Sequence, residues 1–580
     1  MMSSSVRMVR PVPCGRAAAV AGLAAVLVLA GCSSGTAEDP AAGTDVAAYP
    51  RAAVRDGGKL RWAVDALPST LNAFQPGADG TTRLVTGAAL PALFRLDGRG
   101  RPQRDEDYLA SADVVATEPK QVVAYKLNPE ARWSDGRAID AADFAAQWKA
   151  LRGRDSAYWT ARNAGYDRIT DIQQGADARE VRVTFAKPYA DWRALFTPLY
   201  PRAVTARADA FNDAARTGLP AAAGPFAVRA VDPRAGTVTL VRNKRWWGAP
   251  AKLDQIVLTA VDRGERPAAI AAGKLDVAEI DPSDYTAAHR DRNLSLHKAP
   301  GASYSQLALN GSSGPLADER VRHAVARAID RRALATAALK PLGLPYEPLG
   351  NHFLLASQDG YADHSSALGT ADVKSARALL AAAAGTAGGP APADDKQLKR
   401  KEWQTPLTLR LVLPRSSPAL DRAGDRIARD LAAIGIRTRV LRVADDSFFR
   451  DHVASGDFDL ALYSWPGTAY PATDARPIFA KPLPAPDGSL TVEQNYTRVG
   501  TDQIDLLLDQ AATELDPANA RRLTARADAR IWAAAASIPL FQRPELVALA
   551  PSVANAGAFG LATPRYQDIG FRKAVTAPKR

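Results

Sequence analysis

Trp133-Ser134-Asp135-Gly136, followed directly by Ile139–Leu151, is the stretch on which the reading of the fold turns. The first four residues form a turn, with Gly136 supplying a backbone conformation that side-chain-bearing residues resist. The period then changes to helical. Asp140 is placed to cap a helix, Asp143 stands at its third position, and Ile139 can staple onto Phe144. Phe144, Trp148 and Leu151 then share one face.

Further along, Val181, Val183 and Phe185 alternate with Arg182 and Thr184, the two-residue period of a half-buried strand. Thr237–Val241 behaves the same way, with Val238 and Leu240 on one face. A second helix starts at Asp318, where Val321, Val325 and Ile329 recur every four residues while Arg320, Arg322, Arg327 and Arg331 face elsewhere. The Ala- and Gly-rich stretch from Ala381 to Asp394 is low in complexity and is expected to be an exposed loop. The chain is therefore α/β, and its length of 580 residues predicts more than one lobe.

The N-terminus has a separate logic. Arg7, Arg10 and Arg16 precede an uncharged run from Ala17 to Ala30, too short to span a bilayer comfortably but suited to a signal-peptide core. It ends in Leu29-Ala30-Gly31-Cys32, the pattern of a bacterial lipobox. Cys32 is thus the expected lipidation site, carrying diacylglyceryl and further acyl (palmitate-type) chains on the outer face of the cell membrane. Cys14 falls in the segment to be removed, so no disulfide is expected. Residues 32–57 are rich in Ser, Gly, Ala, Asp and Pro and read as a flexible tether. The net charge of +12 is spread along the chain, with no nucleic-acid-binding motif beside it.

The sequence offers little for catalysis. None of His289, His297, His323, His352, His364 and His452 pairs at metal-ligand spacing, and no cofactor or metal is expected. There is no GxSxG elbow and no GxxxxGK[ST] loop. Ser295-Leu296-His297-Lys298 matches S-x-x-K without its companion motifs. Gly98-Arg99-Gly100 lacks a third glycine and reads as a turn.

An ordered set of segments carries a family resemblance. Gly58-Lys59-Leu60-Arg61-Trp62 leads into Leu71-Asn72-Ala73-Phe74. Tyr125-Lys126-Leu127-Asn128 precedes Trp133-Ser134-Asp135-Gly136 and Ala142-Asp143-Phe144. Ala223-Gly224-Pro225-Phe226, Arg242-Asn243-Lys244-Arg245-Trp246-Trp247 and Ala272-Gly273-Lys274-Leu275-Asp276 follow. Pro315-Leu316-Ala317-Asp318, Arg320-Val321-Arg322 and Ile538-Pro539-Leu540-Phe541 complete the order. The set resembles extracellular solute-binding proteins of family 5, the oligopeptide and dipeptide receptors of ABC importers. Where it departs from the family pattern, the chain resembles an actinobacterial branch that includes lipoproteins linked to phosphatidylinositol mannoside metabolism.

That resemblance implies a class II periplasmic-binding-protein fold: two lobes, an inserted subdomain and two crossover strands near Ser303–Asn310 and Ile538–Gln542. Lobe I would comprise residues 58–97, 216–309 and 538–580, with residues 98–215 inserted, and lobe II residues 310–537. Trp246 and Trp247 are expected to pack lobe on lobe. The implied cleft residues are Asn72, Phe74, Tyr304, Gln306, Trp465, Tyr470, Phe541 and Gln542. Trp465 and Tyr470 lead the set, because Ser464-Trp465-Pro466-Gly467 follows strand-like Phe458–Tyr463.

The chain departs from the family at Thr468. Oligopeptide receptors carry an acid there, three residues after the tryptophan, to pair with the peptide's amino group. Asp474 substitutes from further along, or the ligand lacks a free amino terminus. The implied function is capture of peptide or a peptide-like oligomeric solute by a monomeric lipoprotein that delivers it to an ABC permease. The alternative is an envelope lipoprotein that binds glycolipid or regulates its assembly without transport. An enzyme is not supported.

Overall fold

A ten-stranded mixed sheet runs through the molecule. Its order is Arg437–Val443, Thr408–Pro414, Leu460–Pro466, Ser295–Leu309, Ser537–Leu549, Val277–Glu279, Lys59–Val64, Gln255–Ala260, Thr237–Arg242 and Phe226–Asp232. This is a computed structural model, and it describes residues 43–369, 372–385, 406–415, 417–485 and 490–574. The expected lipidation site Cys32, and Cys14, lie outside the described residues.

Two long antiparallel strands, Ser295–Leu309 and Ser537–Leu549, occupy the middle of the sheet. They contain Ile538–Gln542 and all of Ser303–Asn310 except Asn310, the two stretches expected to cross between lobes. Their ladder is interrupted between Pro300 and Tyr304. On one side of the break, residues 277–279 pair with 547–549. On the other, Leu460–Pro466 pairs with Ser303–Leu309. Each half of the sheet has its own apolar core. One collects Leu60, Trp62, Leu240 and Ile256; the other collects Leu307, Leu309, Val325, Leu411, Leu460 and Ile538. A layered α/β arrangement with two cores joined by two strands is the class II two-lobe architecture.

A four-stranded antiparallel sheet, Leu109–Ala116, Val122–Leu127, Glu180–Phe185 and Ile169–Gln174, forms the separate small layer. Val181, Val183 and Phe185 are buried on one face, as their alternation predicts. The helix Ala141–Leu151 lies against it, with Asp140 as N-cap and Asp143 completing the capping box. Gly136 turns at φ +96°, and its N–H donates to Trp133 O at 2.8 Å. The core of this layer, through Tyr125, Phe144 and Phe185, is continuous with that of the first half of the main sheet.

Several expectations need correction. The tether does not extend to residue 57. Asp45–Val46 pairs with Gly557–Ala558, and Val54 bridges Arg572. Backbone pairing, the side-chain bonds of Asp45 and burial of Val54 order this segment. Ala381–Gly385 belongs to the helix Val373–Gly385 and not to a loop, because alanine is the best helix former; residues 386–394 lie outside the described residues. Asp318 does cap Glu319–Ala328, but Arg322 turns inward. It is 7% exposed and donates to the carbonyls of Leu316, Ala317 and Ala534. Trp246 and Trp247 do not join lobe to lobe. They pack on Tyr108, and Trp247 Nε1 donates to Asp107 O, at the entrance to the four-stranded layer.

Candidate functional site

The interruption between Pro300 and Tyr304 leaves the strands free to change partners, and most of the expected site residues gather beside it. Tyr304 stands opposite Trp465 on one side and Gln542 on the other. Tyr304 is 2% exposed and its hydroxyl donates to His352 O at 3.0 Å. Gln306 is buried and accepts from the Ser537 hydroxyl. Gln542 Nε2 donates to Gly301 O (2.8 Å) and to Ser357 Oγ (2.9 Å). Phe541 packs against the second core. Trp465 is only partly buried, stacked on Tyr496 at 5.9 Å between ring centres and set edge-on to Tyr463 at 5.7 Å.

Beyond Trp465 the chain folds onto itself. Gly467 N–H donates to Ala302 O at 2.8 Å, and Gln358 Nε2 donates to Thr468 O at 2.8 Å. The Thr468 hydroxyl donates to Asp474, while its oxygen accepts from Tyr470 N–H at 2.8 Å. Thr468 and Asp474 are therefore joined by one hydrogen bond. Asp474 is exposed at the surface with protein atoms crowded around it, which pushes its carboxyl up.

This segment meets the four-stranded layer. Asp191 Oδ2 accepts from Thr473 N–H at 3.1 Å and from the Thr473 hydroxyl at 2.7 Å. Tyr189 Oη lies 3.0 Å from the same hydroxyl, and Ala190 N–H donates to Ala512 O at 2.9 Å. Burial pushes the Asp191 carboxyl up to about 6, against the two Thr473 bonds and with the Asp474 charge adding to the rise. Tyr470 lies in the same field; burial raises its phenol, and Asp191, Arg193 and Asp474 all act on it.

Asn72 and Phe74 are placed elsewhere. Asn72 is fully buried, its amide donating to Phe211 O at 2.9 Å, and Phe74 packs on Tyr166 and Tyr200. No hydrogen bond or ring contact among the described residues joins either to the Trp465 group. Sequence reasoning missed Asp191, Tyr189, Thr473, Ser357 and Gln358, whose partners are far away in the chain. It also missed Glu545, which accepts from Gly560 N–H at 2.6 Å beside the crossing and which burial pushes up to about 7.

Ser295 Oγ lies 3.2 Å from His297 Nε2, and His297 Nδ1 lies 2.8 Å from Asp45 Oδ1, the order of a nucleophilic triad. Ser295 is in a paired strand rather than on an exposed turn, and Asp45 also accepts from Lys298 N–H. The cluster therefore anchors residues 45–46 to the central strand. Among the described residues, no group of three or more His, Cys, Asp or Glu side chains is arranged to hold a metal ion.

Two cores, two connecting strands and a polar cleft segment define a two-lobed binding protein. The chain belongs to the bacterial extracellular solute-binding proteins, family 5, whose profile matches residues 107–482. It is 35% identical over 568 residues to the oligopeptide-binding protein OppA of Mycobacterium tuberculosis (strain ATCC 25618 / H37Rv), covering 95% of this chain and 93% of that one. A shorter match, 30% identical over 264 residues and covering 43% of this chain and 40% of the other, is to LpqW of the same strain. LpqW is described as a probable monoacyl phosphatidylinositol tetramannoside-binding protein. Among solved structures, the periplasmic EDTA-binding protein EppA aligns with a TM-score of 0.79 and 26% identity, over 90% of this chain and 97% of EppA. These relatives are named as binding proteins, not enzymes. No helix among the described residues is long and apolar enough to cross a membrane.

Proposed function

We infer that this protein is the capture subunit of an ABC importer, held outside the cell membrane by a lipidated Cys32. It takes peptide or a peptide-like oligomeric solute between two lobes and passes it to a permease. In this reading lobe I is built from residues 58–97, 216–309 and 538–580, with residues 98–215 inserted, and lobe II from 310–537. The observation that carries it is Trp465: a half-exposed ring on the strand beside the crossing, followed by Tyr470 and the open carboxylate of Asp474. Trp465 supplies apolar contact and Asp474 receives a ligand ammonium, whose charge offsets the cost of burying the acid. Tyr304, Gln306, Phe541 and Gln542 shape the floor, and Asn72 and Phe74 are not part of it.

A second reading has its own support. Likeness to LpqW favours a glycolipid-handling envelope lipoprotein. In addition, Gly467 N–H and Thr468 O are already hydrogen-bonded inside the protein, which leaves fewer main-chain groups for adding a peptide as a strand.

Thermal-shift titration of the purified protein with alanine peptides and with phosphatidylinositol mannosides separates the two. Stabilisation by peptides alone supports import, stabilisation by the glycolipid alone supports the second reading, and no shift from either removes both ligand classes. In the peptide case Trp465→Ala should weaken binding about tenfold or more while the fold survives. An unchanged Kd would take Trp465 out of the site.

A further inference from the structure

The four-stranded layer is not a passive insertion, because the loop after its strand Glu180–Phe185 grips the segment that carries Tyr470 and Asp474. Thr473 sits between these two residues in sequence, with its side chain enclosed by Asp191 and Tyr189. Its N–H is shared between Tyr470 O at 3.2 Å and Asp191 Oδ2 at 3.1 Å, so one residue ties the turn to the other lobe's attached layer. Ala190 N–H to Ala512 O adds a main-chain bond to the same clasp.

We propose that Asp191 and Tyr189 are positioning residues of a latch: by clasping Thr473 they hold the lobes closed and set Tyr470 and Asp474 in place for ligand.

The chemistry of the clasp gives it a sign. A carboxylate that accepts two hydrogen bonds is well served, but here it is also taken out of water and brought near Asp474. The groups facing Asp191 are Thr473, Tyr189, Tyr470 and Asp474, with Arg168 and Arg193 as the nearby cations. Arg168 lies over the Tyr189 ring at 5.5 Å and Arg193 over the Trp192 ring at 4.3 Å. Burial and Asp474 outweigh the favourable bonds, so the clasped Asp191 carboxyl stands at about 6, above the ordinary 3.8 of an aspartate. Closure is therefore disfavoured while Asp191 is ionised and gains as pH falls through that value. The closed-to-open ratio rises as pH falls from about 7 to about 5. A protonated Asp191 still accepts from Thr473 through its carbonyl oxygen, so the latch survives the change of charge.

This inference rests on the capture reading, but its test needs no ligand. The full chain, with Cys14→Ser and Cys32→Ser to remove competing thiols, carries spin labels at Lys187→Cys and Ala518→Cys, both exposed positions. Pulsed dipolar spectroscopy then reports the separation of the inserted layer from lobe II. The short-distance population should grow relative to the long one from about pH 7 to about pH 5. Thr473→Val should diminish it at both pH values. Asp191→Asn, which keeps an acceptor for Thr473 but cannot titrate, should keep the short population and lose most of the pH response; any remainder belongs to Asp474. The latch is overturned if Thr473→Val leaves the distances unchanged. The proton-linked part is overturned if wild type shows no pH response, or if Asp191→Asn shows the full one. A protein that bound no peptide would sink the import reading and leave these outcomes readable.

Discussion

Asp143 has no exposed surface, yet it takes hydrogen bonds from Trp133 Nε1 (3.0 Å), from both terminal nitrogens of Arg137 (2.8 and 2.9 Å) and from Arg202 N–H (2.9 Å). The turn at Trp133–Gly136 and the helix that follows are therefore joined by one side chain. Removing a buried partner strands the other charge, so Asp143→Ala should cost about 3–5 kcal/mol, measured by chemical denaturation. A loss below about 1 kcal/mol would mean that Arg137 finds full compensation in water. The cap role of Asp140 was legible in sequence because capping is a contact between near neighbours. The inward turn of Arg322 was not, since its acceptors include Ala534, far along the chain.

At the scale of elements, the helix Pro517–Ala534 holds the segment 350–368 through one buried acid. Asp528 accepts from His352 N–H (2.9 Å), lies 2.7 Å from His352 Nδ1, and takes His364 Nδ1 at 2.7 Å through its other oxygen. Burial pushes Asp528 up, but the two histidines hold it below the usual carboxylate value. The bond to Asp528 raises His364 above its ordinary 6.5. The stabilisation from a raised histidine is fully present below 6.5 and fades as pH climbs through the raised value. Wild-type stability should therefore fall more between about pH 6.5 and about pH 8 than that of His364→Gln. Parallel curves in denaturant titrations would show that His364 contributes nothing. This segment carries Ser357 and Gln358, which reach Gln542 and Thr468, so the clamp also steadies the floor of the candidate site. Histidine spacing in the sequence gave no sign of it, because the acid that unites the pair comes from a different element.

For the molecule as a whole, Cys32 and the two-lobed body belong to one proposal: a capture device tethered outside the cell. Cys32→Ala should move the protein from the membrane fraction to the soluble fraction, read by fractionation and blotting; retention of the variant would count against the anchor. The folded body begins earlier than composition suggests, by Asp45, so the expected tether is shorter than residues 32–57.

By itself the sequence determined what neighbours decide: the turn at Trp133–Gly136, the capped helices at Asp140 and Asp318, the alternating strands at 181–185 and 237–241, and, through its ordered motifs, the family. Tertiary structure alone decided where the two long strands change partners. It also decided that Asn72 is buried with its amide on Phe211 O, and that Asp191 meets Thr473 across 282 residues of chain. The physical reason is range. Periodicity and capping act over a few residues and leave a pattern in the sequence, whereas a carboxylate and a threonine joined by the closing of two lobes leave none.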